Sequence, residues 1–251
     1  MFQSNTDREW KKFGKQNPYF GVLAEQKFQQ SSLSPEAKQE FFQSGSNEID
    51  RVVQNIRKYI DPNFKISQAL DFGCGVGRLI IPLSQIANSV TGVDVSEAML
   101  KEAQTNCDAQ NINNVRFIQS DDCLTLLDGK YNLIYSYIVF QHIPVKRGTI
   151  IFSQLLTHLS DGGIGVVHFT YAKESQLQTL NQLIKDRVPL AENTINLVKG
   201  RGFFAPQMRM HTYDLNKIFS ILQKSQVEKV HHEFTNHGGH LGVVLYFKKY
   251  V

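Results

Sequence analysis

A chain of 251 residues, 41% hydrophobic and 20% charged, can bury a real core as one large domain or as one domain with an appendage. Its net charge of +4 comes with no Lys/Arg block and with acids interspersed, so it carries no electrostatic footprint for nucleic acid. Cys74, Cys107 and Cys123 match neither a disulfide framework nor a zinc-ligand spacing, Met1–Trp10 has no leader pattern, and no apolar run approaches the roughly 20 residues of a membrane helix; a soluble cytoplasmic protein is the expectation.

Residues 1–34 are polar, interrupted by Trp10, Phe13, Tyr19, Phe20 and Phe28, and read as an N-terminal arm that packs on the main domain or covers a site. Ser34–Pro35–Glu36 has the chemistry of a helix start, with a capping hydroxyl and proline at the first helical position. A second helix is expected from Asn47 to Ile60, where Ile49, Val52, Val53, Ile56 and Ile60 form one stripe, and Asp61–Pro62–Asn63 ends it.

Strand and helix signals then alternate. Strands are expected at Ile66–Phe72, Ser89–Val93, Val115–Gln119, Tyr131–Val139 and Gly162–Thr170. Helices fall between them at Gly77–Ala87, from a Ser96 cap to Ala109, and at Lys146–Leu159. Such βαβ repetition implies an α/β fold with a mostly parallel sheet. Residues 171–211 break the rhythm and read as a substrate-side insertion. A helix from Thr212 to Lys224 and a hairpin of Val227–Thr235 and Leu241–Lys248 follow. The chain thus divides into an N-terminal helical arm or cap over 1–60 and a core over 61–251.

The first strand runs into Asp71–Phe72–Gly73–Cys74–Gly75–Val76–Gly77–Arg78. Glycines let a strand turn sharply into a helix beside a ligand, and the helix start adds unpaired N–H groups. The sixth position of a dinucleotide fingerprint counted from Gly73 is Arg78 rather than glycine, so a pyrophosphate cradle is disfavoured. About twenty residues on, Asp94 ends the second strand, where a carboxylate can accept from both ribose hydroxyls. Asp121 and Asp122 follow the third strand, where an acid can accept from an adenine amine. These three strand ends define one crevice at the carboxyl edge of the sheet.

From Leu70 to Leu159, and more weakly to Lys248, the sequence resembles the class I S-adenosylmethionine-dependent methyltransferases. Leu70–Arg78 resembles the family's first motif, Gly92–Ser96 with Met99 the second, and Gln119–Asp122 the third. Tyr131–Pro144 is similar to the fourth strand and its loop, and Leu159–Gly163 to the turn before the fifth. The resemblance implies a seven-stranded, mostly parallel Rossmann-like sheet with helices on both faces and an antiparallel last strand. It also implies S-adenosylmethionine as cofactor and S-adenosylhomocysteine as product. Gly73, Cys74, Gly75 and Arg78 would lie beside its methionine portion, Asp94 on the ribose, and Val95 and Met99 beside adenine. Asp121 would take the adenine amine, with Asp122 next to it, and Tyr137 would touch the cofactor through its backbone or simply pack in the sheet. The family's frequent Phe-Asp is replaced here by Tyr131–Asn132, a change read as bearing on fold support rather than cofactor binding.

Methyl transfer from a sulfonium requires chiefly alignment of the acceptor, with a base only where a proton must leave. His142 and His168 are the catalytic candidates; each could equally be a histidine satisfied by its surroundings. Arg201, Arg209 and His211 would receive an anionic acceptor or form a solvated loop. Phe203 and Phe204, with Trp10, Tyr19 and Phe20, would wall a pocket or cover the sheet. His231, His232, His237 and His240 lack a paired carboxylate or cysteine at ligand spacing, so no metal is expected. The expected acceptor is a small molecule methylated on O or N, with no membrane or nucleic-acid partner. An RNA-modifying enzyme and a non-catalytic S-adenosylmethionine-binding protein are the alternatives.

Overall fold

The computed structural model describes residues 5–121, 123–174, 206 and 208–250. A seven-stranded sheet in the order β3-β2-β1-β4-β5-β7-β6 forms its centre. The strands are β1 (Gln68–Phe72), β2 (Ser89–Asp94), β3 (Val115–Gln119), β4 (Tyr131–Ser136), β5 (Leu159–Lys173), β6 (Val227–Asn236) and β7 (His240–Lys249). Neighbours from β3 through β5 pair in parallel, and β7 runs antiparallel to both β5 and β6. The mostly parallel sheet with an antiparallel last strand is therefore as expected. Its strand order reverses between β1 and β4, which opens a crevice at the carboxyl ends of those strands.

Period-2 alternation sorts the strand side chains onto two cores. Leu70, Ile134, Val167 and Leu245 face α6 (Val145–His158) and a later helix, α7 (Leu215–Lys224). Ala69, Leu133, Val166 and Val244 face α3 (Pro35–Asn55), α4 (Ile80–Ile86) and α5 (Glu97–Asp108). Each such fully buried aliphatic residue contributes roughly 1.5–3 kcal/mol. Helices thus cover both faces.

The sequence-derived boundaries hold within a few residues, with two informative differences. First, the two helices expected across 35–60 are one: α3 runs from Pro35, with Ser34 Oγ accepting the Ala37 amide at 3.2 Å, and passes into a wider turn over Ile56–Ile60. The wider turn closes where the Asp61 amide reaches the Ile56 carbonyl at 2.9 Å. Second, β4 stops at Ser136, three residues before the apolar run ends, because Ile138 turns to a φ of +60°. The change of Asp to Asn beside Tyr131 has a clear structural role. Asn132 Oδ1 accepts the Ser67 and Gln68 amides at 2.9 and 3.0 Å and Nδ2 donates to the Lys65 carbonyl, clipping the entry to β1.

Two N-terminal helices, α1 (Asn5–Gln16) and α2 (Pro18–Val22), lie over the carboxyl edge of the sheet. Phe13, Tyr19, Phe28 and Phe41 pack there with Val76 of the glycine loop and Met99 of α5 in a third apolar cluster. The Tyr19 hydroxyl donates to Glu102 of α5 at 2.6 Å, fixing α2 to the main domain. Phe13 and Tyr19 of these helices thus pack against the glycine loop and α5.

Candidate active site

Beyond β1, Gly73, Gly75 and Gly77 all adopt left-handed φ angles of +81°, +54° and +88°. Space as well as conformation demands glycine at two of these positions. A Cβ on Gly73 would stand 2.3 Å from Val139 Cγ2, and one on Gly75 would stand 2.5 Å from Val22 Cγ2. The Gly73 and Cys74 amides donate to the Val93 carbonyl at 2.7 and 3.1 Å, tying the loop to β2.

Asp94 closes β2 and holds both neighbours. Its Oδ2 accepts the Gly75 amide at 3.0 Å and its Oδ1 the Ser96 amide at 2.8 Å. Burial pushes its pKa up to about 6, against the pull of the backbone amides. Ser96 then caps α5, accepting the Met99 amide at 3.4 Å. Asp71 is fully buried, with Oδ2 unpartnered; burial raises its pKa to about 7 although Arg78 pulls it down.

These elements bound a cavity of about 360 Å³. Gly73, Cys74, Gly75, Arg78, Asp94, Val95, Met99 and Tyr137 all lie on its wall. Arg78 is 6% exposed, donates to Ser44 Oγ at 3.3 Å, and leaves its Nε without a partner. Ile138, a β-branched residue held at positive φ between wall residues Tyr137 and Val139, stores strain on the order of 1–3 kcal/mol.

Other expectations need correction. Asp121 is not on the cavity wall; its carboxylate turns back to accept the Cys123 and Thr125 amides, each at 3.0 Å, and the Thr125 hydroxyl. That turn lowers its pKa, with the Thr125 hydroxyl the largest cause, and Ser120 takes its place on the wall. Asp122 lies outside the described residues, as do Arg201, Phe203 and Phe204.

His168 is 0% exposed on β5, with Nε2 at 2.9 Å from Thr235 Oγ1, and it does not reach the cavity. His142 does, but both its ring nitrogens are engaged. Nδ1 donates to the Arg209 carbonyl at 2.8 Å, which leaves Nε2 to accept from Gln141 Nε2 at 3.2 Å; Gln141 Oε1 in turn accepts the Thr170 hydroxyl at 2.7 Å. Burial pulls the His142 pKa down to about 4, so the ring is a neutral, fixed wall group and not a ready base. Arg209 and His211 serve this corner through their backbones, the His211 amide donating to the Gln141 carbonyl at 2.6 Å.

The arm contributes wall residues that no motif marks. Asp7 of α1 meets Arg147 of α6 in a two-pronged ion pair, with Nη1 at 2.5 Å and Nη2 at 3.1 Å, and both residues line the cavity. Trp10 also lines it, packing edge-on to His142 at 5.0 Å, whereas Tyr19 and Phe20 belong to the apolar cluster outside it. Met208, Met210 and His237 also line the cavity. Among the described residues no three His, Cys, Asp or Glu side chains gather to hold a metal ion, and no helix is long and apolar enough to cross a membrane.

A doubly covered sheet in this strand order, with a glycine loop after β1 and an acid after β2, is the Rossmann-like methyltransferase fold. Residues 69–163 match the family model described as methyltransferase domain. It is 39% identical over 89 residues to magnesium-protoporphyrin O-methyltransferase of Synechocystis, covering 34% of this chain and 37% of that protein. It is 31% identical over 83 residues to the 23S rRNA (uracil(1939)-C(5))-methyltransferase RlmD of Marinomonas posidonica, covering 33% of this chain and 19% of that one. The chain thus spans well under half the length of these curated relatives. The crystal structure of the Synechocystis magnesium protoporphyrin IX methyltransferase with bound SAM shares the fold, with a TM-score of 0.62 at 18% identity over 99% of this chain and 100% of that one.

Proposed function

We propose that the protein transfers a methyl group from S-adenosylmethionine to an oxygen or nitrogen of a small-molecule acceptor. One observation carries this reading: the glycine loop, the Asp94 carboxylate and the exit of β4 all open into a single cavity. The residues present suit the cofactor. Glycine is required where the loop runs closest to its neighbours, and the buried Arg78 Nε has no partner among the described residues. In this reading Gly73, Gly75 and Arg78 hold the methionine portion, Asp94 accepts the ribose hydroxyls, and Val95 and Met99 flank adenine. The cofactor supplies an already activated methyl, so the protein's task is to align the acceptor and exclude water. Residues 1–60 act as the cap and 171–211 as the acceptor-side insertion. The free thiols of Cys74, Cys107 and Cys123 favour a cytoplasmic setting.

Calorimetry with S-adenosylhomocysteine tests the assignment. Micromolar binding is expected, and Asp94→Ala should lose about 3 kcal/mol, roughly 100-fold, the worth of two hydrogen bonds to a charged acceptor. Equal affinity in the variant would overturn the ribose assignment. The partial match to an rRNA methyltransferase supports a second reading, RNA modification. Salt-dependent binding to ribosomal RNA would favour it.

A further inference from the structure

Three histidines stand near the ends of β4 and β5 and the turn between β6 and β7, and their hydrogen bonds separate them. His142 spends both nitrogens on protein partners, and His168 lies off the cavity. His237 lines the cavity, and its Nε2 is buried with no partner among the described residues. The ring is half-buried and held from two sides, 5.3 Å from the His168 ring and 6.0 Å from that of Tyr137. Its turn is closed by the His237 amide on the His240 carbonyl at 3.1 Å and the Gly239 amide on Asn236 Oδ1 at 2.8 Å. The hairpin is in turn anchored to α3, where Arg51 bridges Glu48 and Glu233, and the Tyr246 hydroxyl donates to Glu233 at 2.8 Å.

We propose that His237 is the residue that meets the methyl acceptor, receiving at Nε2 the O–H or N–H group of a molecule with an otherwise apolar body. This deepens the methyltransferase reading and rests on it. The apolar body follows from Trp10, Ile143, Met208 and Met210, which line the same cavity. A buried ring nitrogen left unpaired is costly, so a ligand carrying a polar hydrogen to it is selected over one that does not. During transfer the acceptor's proton passes to His237 Nε2 while its lone pair forms the new bond to the methyl carbon. The carbon–sulfur bond breaks with its electrons on sulfur, which becomes a neutral thioether. The half-buried imidazolium then returns its proton to solvent.

Burial lowers the pKa of the ring against the smaller pull of Glu48 of α3, with His168 of β5, Tyr137 after β4 and His240 of β7 as the other titratable neighbours. The test compares His237 in complexes with S-adenosylmethionine and S-adenosylhomocysteine, which differ by the sulfonium charge and methyl. Histidine ring resonances of the full chain are followed against pH by NMR, with His237 assigned through His237→Gln. A unit charge bordering the ring should make its pKa about one unit lower with S-adenosylmethionine than with S-adenosylhomocysteine. His231 and His232 should not move. His237→Gln should bind S-adenosylhomocysteine within about twofold of wild type, since the residue serves the acceptor and not the cofactor. The same His237 pKa in both complexes would overturn this inference alone. Failure of the wild type to bind S-adenosylhomocysteine would sink the cofactor reading and this one with it.

Discussion

Replacing Gly73 by alanine separates two penalties that the structure places at one atom. The first is conformational: at a φ of +81° a residue with a Cβ is disfavoured by about 1 kcal/mol. The second is steric, because the new Cβ would stand 2.3 and 2.7 Å from the two Val139 methyls and 3.0 Å from Val139 Cβ. A rotamer change cannot relieve all three contacts, so the loop or the β4 exit must shift, at roughly 1–3 kcal/mol. The single variant should therefore lose about 2–4 kcal/mol. Val139→Ala removes the obstructing methyls and by itself costs about 1 kcal/mol, since Val139 is only half-buried. In the double variant the two methyl clashes disappear, while the 3.0 Å contact with the Cβ at position 139 and the conformational part stay. Urea unfolding of the four proteins should show a coupling of about 1–3 kcal/mol, with the double variant more stable than additivity allows. Additive losses would refute the claim that Gly73 is required by its contact with Val139.

Three further outcomes follow from the electrostatics and the arm. If Asp94 must be ionised to accept the ribose hydroxyls, its pKa of about 6 makes S-adenosylhomocysteine affinity fall as pH drops below 6, approaching tenfold per unit; calorimetry across pH 5–7.5 would expose a flat profile. Asp71 titrates near 7 in the folded protein and near 3.9 unfolded, so its protonation favours folding fully below about pH 4 and that stabilisation is lost as pH rises through 7. Asp71→Asn should then be more stable than wild type at pH 8, by up to about 4 kcal/mol, and similar to it at pH 4, by thermal melting without cofactor. Asp7→Ala releases α1 from Arg147, and Trp10, the one tryptophan of the chain, should report it as a red-shifted emission; unchanged emission would show that the ion pair does not hold the helix.

What the sequence determined by itself is local or periodic. The Ser34 and Ser96 caps, the apolar strand runs and the positive-φ glycines act within a few residues of themselves, and each stands where its chemistry places it. Asp94 was legible for the same reason, since a strand end positions its side chain whatever the rest of the chain does. Only the tertiary structure decided which residues close the cavity. Asp7 and Arg147 are 140 positions apart and meet because α1 folds back across the sheet edge. The local turn, and not the ligand crevice, claimed the Asp121 carboxylate, because three nearby donors outcompete a distant one. The histidines show the limit most clearly: residue type alone cannot tell an imidazole spent on a carbonyl and an amide from one whose nitrogen is left facing a cavity, because that difference is set by neighbours brought from four separate strands and loops.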